Sequence, residues 1–202
     1  MLLYDLPAGM NPRRVCIFLA EKGLTVPLQK MDAASDECRQ PDFLALNPLG
    51  RLPVLQLDEG TVISESLAIC RYFEALHPTP PLFGSTPPEQ AQVEMWLRRM
   101  EFQTAQPILD VFLHTRDFFS SPMAQVAAYG EWSRQRALEA MAWLDRERVG
   151  RELITSGRYT MADIVAQCAF VLGKAVGLRI PAELTELTRW FAAVSARPTA
   201  RA

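Results

Sequence analysis

Asn47-Pro48-Leu49-Gly50-Arg51-Leu52-Pro53-Val54-Leu55 and, after a short turn, Thr61-Val62-Ile63-Ser64-Glu65-Ser66-Leu67-Ala68-Ile69 are the stretches on which the reading of this chain turns. In the first, Pro53 opens a short apolar run, Val54 to Leu57, that reads as a strand. A residue before proline is held extended, and a proline at such a place is compatible with a cis bond. A cis bond would turn the amide and carbonyl of Leu52 outward as an unpaired strand edge, able to pair with the backbone of a peptide-like ligand. A trans bond would make an ordinary strand start, and these residues alone leave both open. In the second stretch, Ser64 reads as the cap of a helix running to about Glu74 and carrying Leu67, Ala68, Cys70 and Tyr72. Glu65 and Ser66 then stand at the positive end of that helix, whose free amides favour a carboxylate. Glu65 suits an ammonium group and Ser66 a carboxylate, so together they suit the α-amino-acid end of a ligand. The plainer reading has Ser64 capping the helix and Glu65 merely well placed on its dipole.

Working outward, the segments before these alternate between strand and helix. Met1 to Leu6 is a short apolar strand ending at Pro7-Ala8-Gly9, a turn. Asn11-Pro12 opens a helix, with Asn11 as N-cap, Val15, Phe18 and Leu19 at helical spacing, and Gly23 as the stop. Val26 to Met31 reads as a second strand and Pro41 to Leu46 as a short helix. Asp58-Glu59-Gly60 turns the Val54–Leu57 strand into Thr61-Val62-Ile63. The order is β-α-β-α-β-β-α. His77-Pro78-Thr79-Pro80-Pro81 cannot continue a helix and reads as a stiff linker. We therefore expect a first domain over 1–77, a linker over 78–87 and a helical domain over 88–202. The last contains a long helix from Glu89 to about Phe118, a second from about Pro122 to Val149, and a third from Thr160 to Val176. A final helix covers Ala182 to Ala196. Thr160-Met161-Ala162-Asp163 is a capping box with Asp in the place of Glu or Gln.

Composition narrows the function. Hydrophobic residues make up 49% and charged residues 22% of the 202 positions, with a formal net charge of −2. That balance supports a packed core and offers no attraction to nucleic acid or an anionic membrane. No apolar run is long enough to span a bilayer and the start lacks a basic, apolar leader, so the cytosol is the expected location. The four cysteines include no CxxC pair and there are two histidines, which argues against a metal centre.

The run Asn-Pro-x-Gly-x-Leu-Pro-Val-Leu, the hairpin, and Ser-Glu-Ser-x-Ala-Ile resemble the glutathione-binding half of cytosolic glutathione transferases. So do Arg14-Val15 before Leu19-Ala20-Glu21-Lys22-Gly23, the proline-rich linker, and Thr160-Met161-Ala162-Asp163-Ile164. The resemblance runs over nearly the whole chain in the same order. It implies a thioredoxin-like α/β domain with a mixed four-stranded sheet, followed by an all-helical bundle, in a homodimer. It implies glutathione as co-substrate, with no metal, and a thiolate attacking a small hydrophobic electrophile. Position by position, Leu52 would pair through its backbone with the cysteinyl part of glutathione, with Pro53 as a cis-proline. Glu65 and Ser66 would hold the γ-glutamyl end, and Arg51 the glycine carboxylate. Phe102, Ala105, Leu109 and Phe112, at helical spacing, are candidates for an apolar shelf that takes the electrophile, and the bland reading of all four is core.

One feature departs from the family pattern. A free thiol has a pKa of about 8.5, and lowering it by about two units needs roughly 2.7 kcal/mol of preferential thiolate stabilisation. Family members usually supply it from a Ser or Tyr hydroxyl in the first loop, and some place a Cys there. No Ser, Thr, Tyr or Cys lies between Asp5 and Val15 here. Asn11, with its NH₂ donor and the helix N-terminus, is one candidate for the catalytic donor, although an N-cap role suffices for it. Tyr4 is another, more readily read as a strand residue. A third source follows from a further resemblance: the Met10-Asn11-Pro12-Arg13-Arg14-Val15 loop is similar to that of a bacterial subgroup akin to the second yeast glutathione transferase. There a water held by a histidine and a serine of the helical domain replaces the hydroxyl. His114 and Ser120 are candidates for those roles, with Thr115 and Ser121 as neighbours, while a partly exposed His114 at a helix C-terminus also suits the dipole alone. Two alternatives to conjugation stand: glutathione-dependent peroxide reduction, and a non-catalytic glutathione-binding module. Disulfide reduction fits less well, because Cys16 lies beyond the first loop on the helix.

Overall fold

The protein is described by a computed structural model covering residues 1–7, 9–32, 35–117, 123–155 and 157–202. It divides into two compact units, Met1–Leu82, with Arg201–Ala202 counted with it, and Phe83–Ala200.

In the first unit, β1 (Leu2–Asp5), α1 (Met10–Glu21), β2 (Leu28–Lys30), α2 (Pro41–Leu46), β3 (Val54–Gln56), β4 (Val62–Ser64) and α3 (Ser66–Leu76) follow the expected β-α-β-α-β-β-α order. The strands lie in the order β2-β1-β3-β4. β1 runs parallel to β2 and antiparallel to β3, and β3 antiparallel to β4. The mixed four-stranded thioredoxin-like sheet expected from sequence is therefore present. Alternation sends Leu3 and Asp5 of β1 inward, where α1 and α3 pack together over Val15, Phe18, Ile69 and Phe73. Burial pushes the Asp5 carboxyl above the ordinary aspartate range, opposed by the Cys16 thiol, which donates to it at 3.7 Å. The enclosed Lys22 side chain lies 2.6 Å from Glu74 and donates to the carbonyls of His77 and Pro80. One cation thus ties the end of α1 to the end of α3 and to the chain beyond it.

Two helix starts differ from expectation. Asn11 is not the N-cap of α1. Gly9 is, in extended conformation, and its carbonyl accepts from the Arg13 amide at 3.1 Å. Pro12 is tolerated inside the first turn because amides there have no helical acceptor to lose. Ser64 is not the cap of α3 either. It ends β4, and Glu65 caps the helix with φ 71°.

The second unit is helical, as expected. It contains α4 (Pro87–Arg99), α5 (Gln106–Thr115), α6 (Ala127–Glu147), α7 (Met161–Ala175) and α8 (Thr185–Ser195). The single long helix expected from Glu89 to Phe118 is interrupted by a π-helical turn at Met100–Ala105. Pro107, just beyond it, has no amide to donate to the preceding turn, and the wider turn accommodates that loss. α7 is buried along nearly its whole length. Its capping box is present, with Asp163 accepting from the Thr160 amide at 3.0 Å. No helix among the described residues is long and apolar enough to cross a membrane.

Candidate functional site

A cleft in the first unit is lined by Asn11, Asn47, Leu49, Arg51, Leu52, Pro53, Glu65 and Ser66. Local sequence shapes its floor. Asn47, at the C-terminus of α2, is buried. Its side-chain amide donates to the Arg51 carbonyl at 2.8 Å and its Oδ1 accepts from the Leu49 amide at 3.2 Å. Its own carbonyl accepts from Gly50 at 2.9 Å. One buried side chain therefore folds the whole 48–51 loop. Gly50 sits at φ 58°, where a Cβ would stand 2.8 Å from the Cys38 carbonyl oxygen. Gly50→Ala is expected to cost about 1–2 kcal/mol from the left-handed backbone alone, with the clash added to it. A fall in the urea midpoint measures this, and an unchanged midpoint would show that the loop adjusts freely.

The Leu52–Pro53 bond is cis. Leu52 lies outside the sheet ladder, and among the described residues its amide and carbonyl make no hydrogen bond. That is the free backbone edge a peptide-like ligand requires. Register brings the opposite wall alongside: Val54 pairs with Ser64, so the residues before Val54 and after Ser64 leave the sheet as neighbours. Glu65 is exposed and caps α3, and it is the one non-glycine residue with positive φ among those described. Ser66, buried, is the first residue of α3, where the amides of the first turn have no acceptor within the helix. Asn11, inside the first turn of α1, brings a second helix N-terminus to the same cleft. Arg51 is exposed at the rim. The arrangement offers an unpaired backbone donor and acceptor, a cation, an anion and two positive helix ends, which together suit an extended ligand carrying an amino-acid terminus.

Of the other sequence candidates, Tyr4 is engaged within the first unit. The Tyr4 hydroxyl donates to Gln56 at 3.2 Å and its ring meets Phe43 edge-on; Tyr4 does not line the cleft. His114 is half-buried in the last turn of α5, and its Nδ1 accepts from the Val126 amide at 3.0 Å. Ser120 and Ser121 lie outside the described residues. Phe102 is 56% exposed, under the Arg98 guanidinium, whereas Ala105 is buried and Leu109 and Phe112 are half-buried. The π-helical turn shifts the register between Phe102 and Leu109, so the four do not form one stripe of equal exposure. Among the described residues, no group of three or more His, Cys, Asp or Glu side chains is placed to hold a metal. Sequence reading missed Asn47 as an organiser of the loop, although Asn-Pro-Leu-Gly is a turn signal. It also missed the positive φ of Glu65, which has no local signature.

Known proteins share this organisation. The family described as Glutathione S-transferase, N-terminal domain, matches residues 10–76, a range that takes in every residue of the cleft. Glutathione S-transferase 2 of Saccharomyces cerevisiae is 34% identical over 206 residues, spanning 100% of this chain and 88% of the yeast protein. The crystal structure of Gtt2 from Saccharomyces cerevisiae matches with a TM-score of 0.94 at 34% identity, covering 100% of this chain and 99% of that one. A glutathione S-transferase domain-containing protein from Marinobacter aquaeolei VT8 matches with a TM-score of 0.94 at 34% identity, covering 99% of this chain and 100% of that one. Full-length identity at this level, a family match over the cleft and the shared fold lead to one conclusion: this chain belongs to the glutathione S-transferase family.

Proposed function

We propose that this chain binds glutathione in the first-unit cleft and conjugates its thiolate to small hydrophobic electrophiles, acting in detoxification as a cytosolic homodimer. The observation that carries the reading is the cleft itself. It joins the free Leu52 backbone beside cis-Pro53 to Glu65 and Ser66 at the start of α3, with Arg51 at the rim. Glutathione is an extended tripeptide with an amino-acid end, a peptide-like middle and a terminal carboxylate. Glu65 takes its ammonium and Ser66 its γ-glutamyl carboxylate. Leu52 pairs with the cysteinyl backbone, and Arg51 neutralises the glycine carboxylate. In the reaction the sulfur forms a bond to the electrophilic carbon, the leaving group departs with its electron pair, and the thiol proton passes to solvent. An apolar acceptor binds mainly by area burial, the role assigned to Phe102, Ala105, Leu109 and Phe112.

For the thiolate, the favoured donor is a water held by His114 and Ser120, with Asn11 as the other candidate. The local geometry of His114 supports this. An Nδ1 that accepts from Val126 leaves the proton on Nε2, free to donate. The test is the ultraviolet difference spectrum of bound glutathione against pH. A thiolate band persisting near pH 7, well below the free-thiol pKa of about 8.5, is the expected result. Glutathione binding with no such band and no turnover would make this a binding module instead. Full activity toward a chlorinated aromatic acceptor in both His114→Ala and Ser120→Ala would remove the water from the mechanism.

A further inference from the structure

His114 is held from several sides by the start of α6. The Val126 amide donates to its Nδ1 at 3.0 Å. A ring flip would put a carbon where that nitrogen now accepts and would forfeit the bond. The Tyr129 ring meets the imidazole edge-on, with centroids 5.1 Å apart and planes at 81°. Tyr129 is itself anchored. Its hydroxyl donates to Oδ2 of Asp110 at 3.0 Å, and the other oxygen of that buried carboxylate accepts from Gln106 at 2.8 Å. Asp110 lies one helical turn before His114, on the same face of α5. Gly130 permits the close approach, since a Cβ there would stand 3.2 Å from the His114 Cβ. Gln125 donates to the carbonyls of Leu113 and Arg116, both at 2.7 Å, and so closes the end of α5 that carries the histidine.

We infer that Tyr129, anchored on Asp110, is a positioning residue that fixes the His114 ring in one orientation, with Nε2 as its proton-bearing donor. The inference rests on the water-holding role proposed above for His114. A neutral imidazole with an unconstrained ring exchanges its tautomers, and half of its orientations would present an acceptor where a donor is needed. The Val126 amide selects the tautomer, and the Tyr129 ring keeps the imidazole where that amide reaches it. Tyr129 is 40% exposed, so replacing it removes little from the core.

The chain has two histidines, so nitrogen-15 NMR of the histidine-labelled full-length protein reads His114 directly, with His77→Gln providing the assignment. Wild type is expected to show the Nε2–H tautomer; a proton on Nδ1 would overturn the inference without any variant. Tyr129→Leu is expected to give a mixture of tautomers. It should lower kcat by roughly ten- to a hundredfold, the scale of a misplaced catalytic group, with the KM for glutathione unchanged. Tyr129→Phe, which keeps the ring but loses the hydroxyl bond to Asp110, is expected to restore part of the rate. Full kcat in Tyr129→Leu, while His114→Ala has lost it, would overturn this inference alone. Full kcat in His114→Ala would remove His114 from the proposed water site and overturn this inference with it.

Discussion

Glu65→Gly is expected to make the protein more stable and a worse binder of glutathione at once. Glu65 occupies φ 71°, ψ 120°, a region that an L residue enters at a cost of about 1–3 kcal/mol and glycine enters freely. Glycine gives back part of that gain through its looser unfolded chain, by about 0.4–1 kcal/mol, leaving a net stabilisation of about 1 kcal/mol. The same change removes the carboxylate proposed to receive the ammonium of glutathione. A charge-assisted hydrogen bond of about 1.5–3 kcal/mol translates into a Kd roughly ten- to a hundredfold higher. Glu65→Gln separates the two effects, since it retains the strain and loses only the charge. Its melting temperature is expected to match wild type, while its Kd, measured by calorimetry, rises nearly as far as that of the glycine variant. Unaltered glutathione affinity in both variants would remove Glu65 from the binding site. A lower melting temperature for Glu65→Gly would show that the positive φ carries no strain.

Asp163→Ala is expected to produce the largest loss of stability in the chain. The Asp163 side chain is fully enclosed. It accepts from the Ile154 amide and the Trp190 indole, each at 2.9 Å, and from the Thr160 amide at 3.0 Å. It thereby joins the start of α7 to the preceding loop and to α8. Beside it lies Arg148, buried and 5.3 Å from the Trp190 ring. Burial pulls the Arg148 guanidinium down to about 10, and the Asp163 charge is the main force opposing that shift. Removing the carboxylate orphans three buried donors and takes away the larger of the negative charges that support the buried cation, with Glu186 left as the smaller one. Each buried donor left unsatisfied costs about 1–3 kcal/mol, so the three together amount to a large part of a typical total of about 5–15 kcal/mol. Urea unfolding measures the loss. Asp163→Asn combined with Arg148→Met is expected to be more stable than Asp163→Asn alone, because it removes a buried charge whose main counter-charge is gone. A loss below about 1 kcal/mol in Asp163→Ala would mean that water replaces the carboxylate at no cost.

Much of this molecule was legible residue by residue. The β-α-β-α-β-β-α order, the Pro41–Leu46 helix, the helical nature of the second unit and the Thr160–Asp163 capping box all follow from signals lying within a few residues of one another. Hydrophobic periodicity, turn residues and caps act locally, so they can be read before any long-range contact is known. The cleft residues Arg51, Leu52, Pro53, Glu65 and Ser66 were legible for the same reason, since each stands at a strand start or a helix start.

Folding settled the rest through contacts between residues far apart in the chain. Gly9 rather than Asn11 caps α1, and Glu65 rather than Ser64 caps α3. In the second case β4 pairs with β3 as far as Ser64 and leaves the next residue to turn the chain. The π-helical turn before Pro107 interrupts a helix that periodicity alone draws as continuous. The tautomer of His114 depends on the amide of Val126, which another element brings to it. A positive φ, a widened turn and a chosen tautomer are each unfavourable or undetermined in the isolated segment. Packing and pairing with distant residues hold them in place, and that information is absent from any short window of sequence.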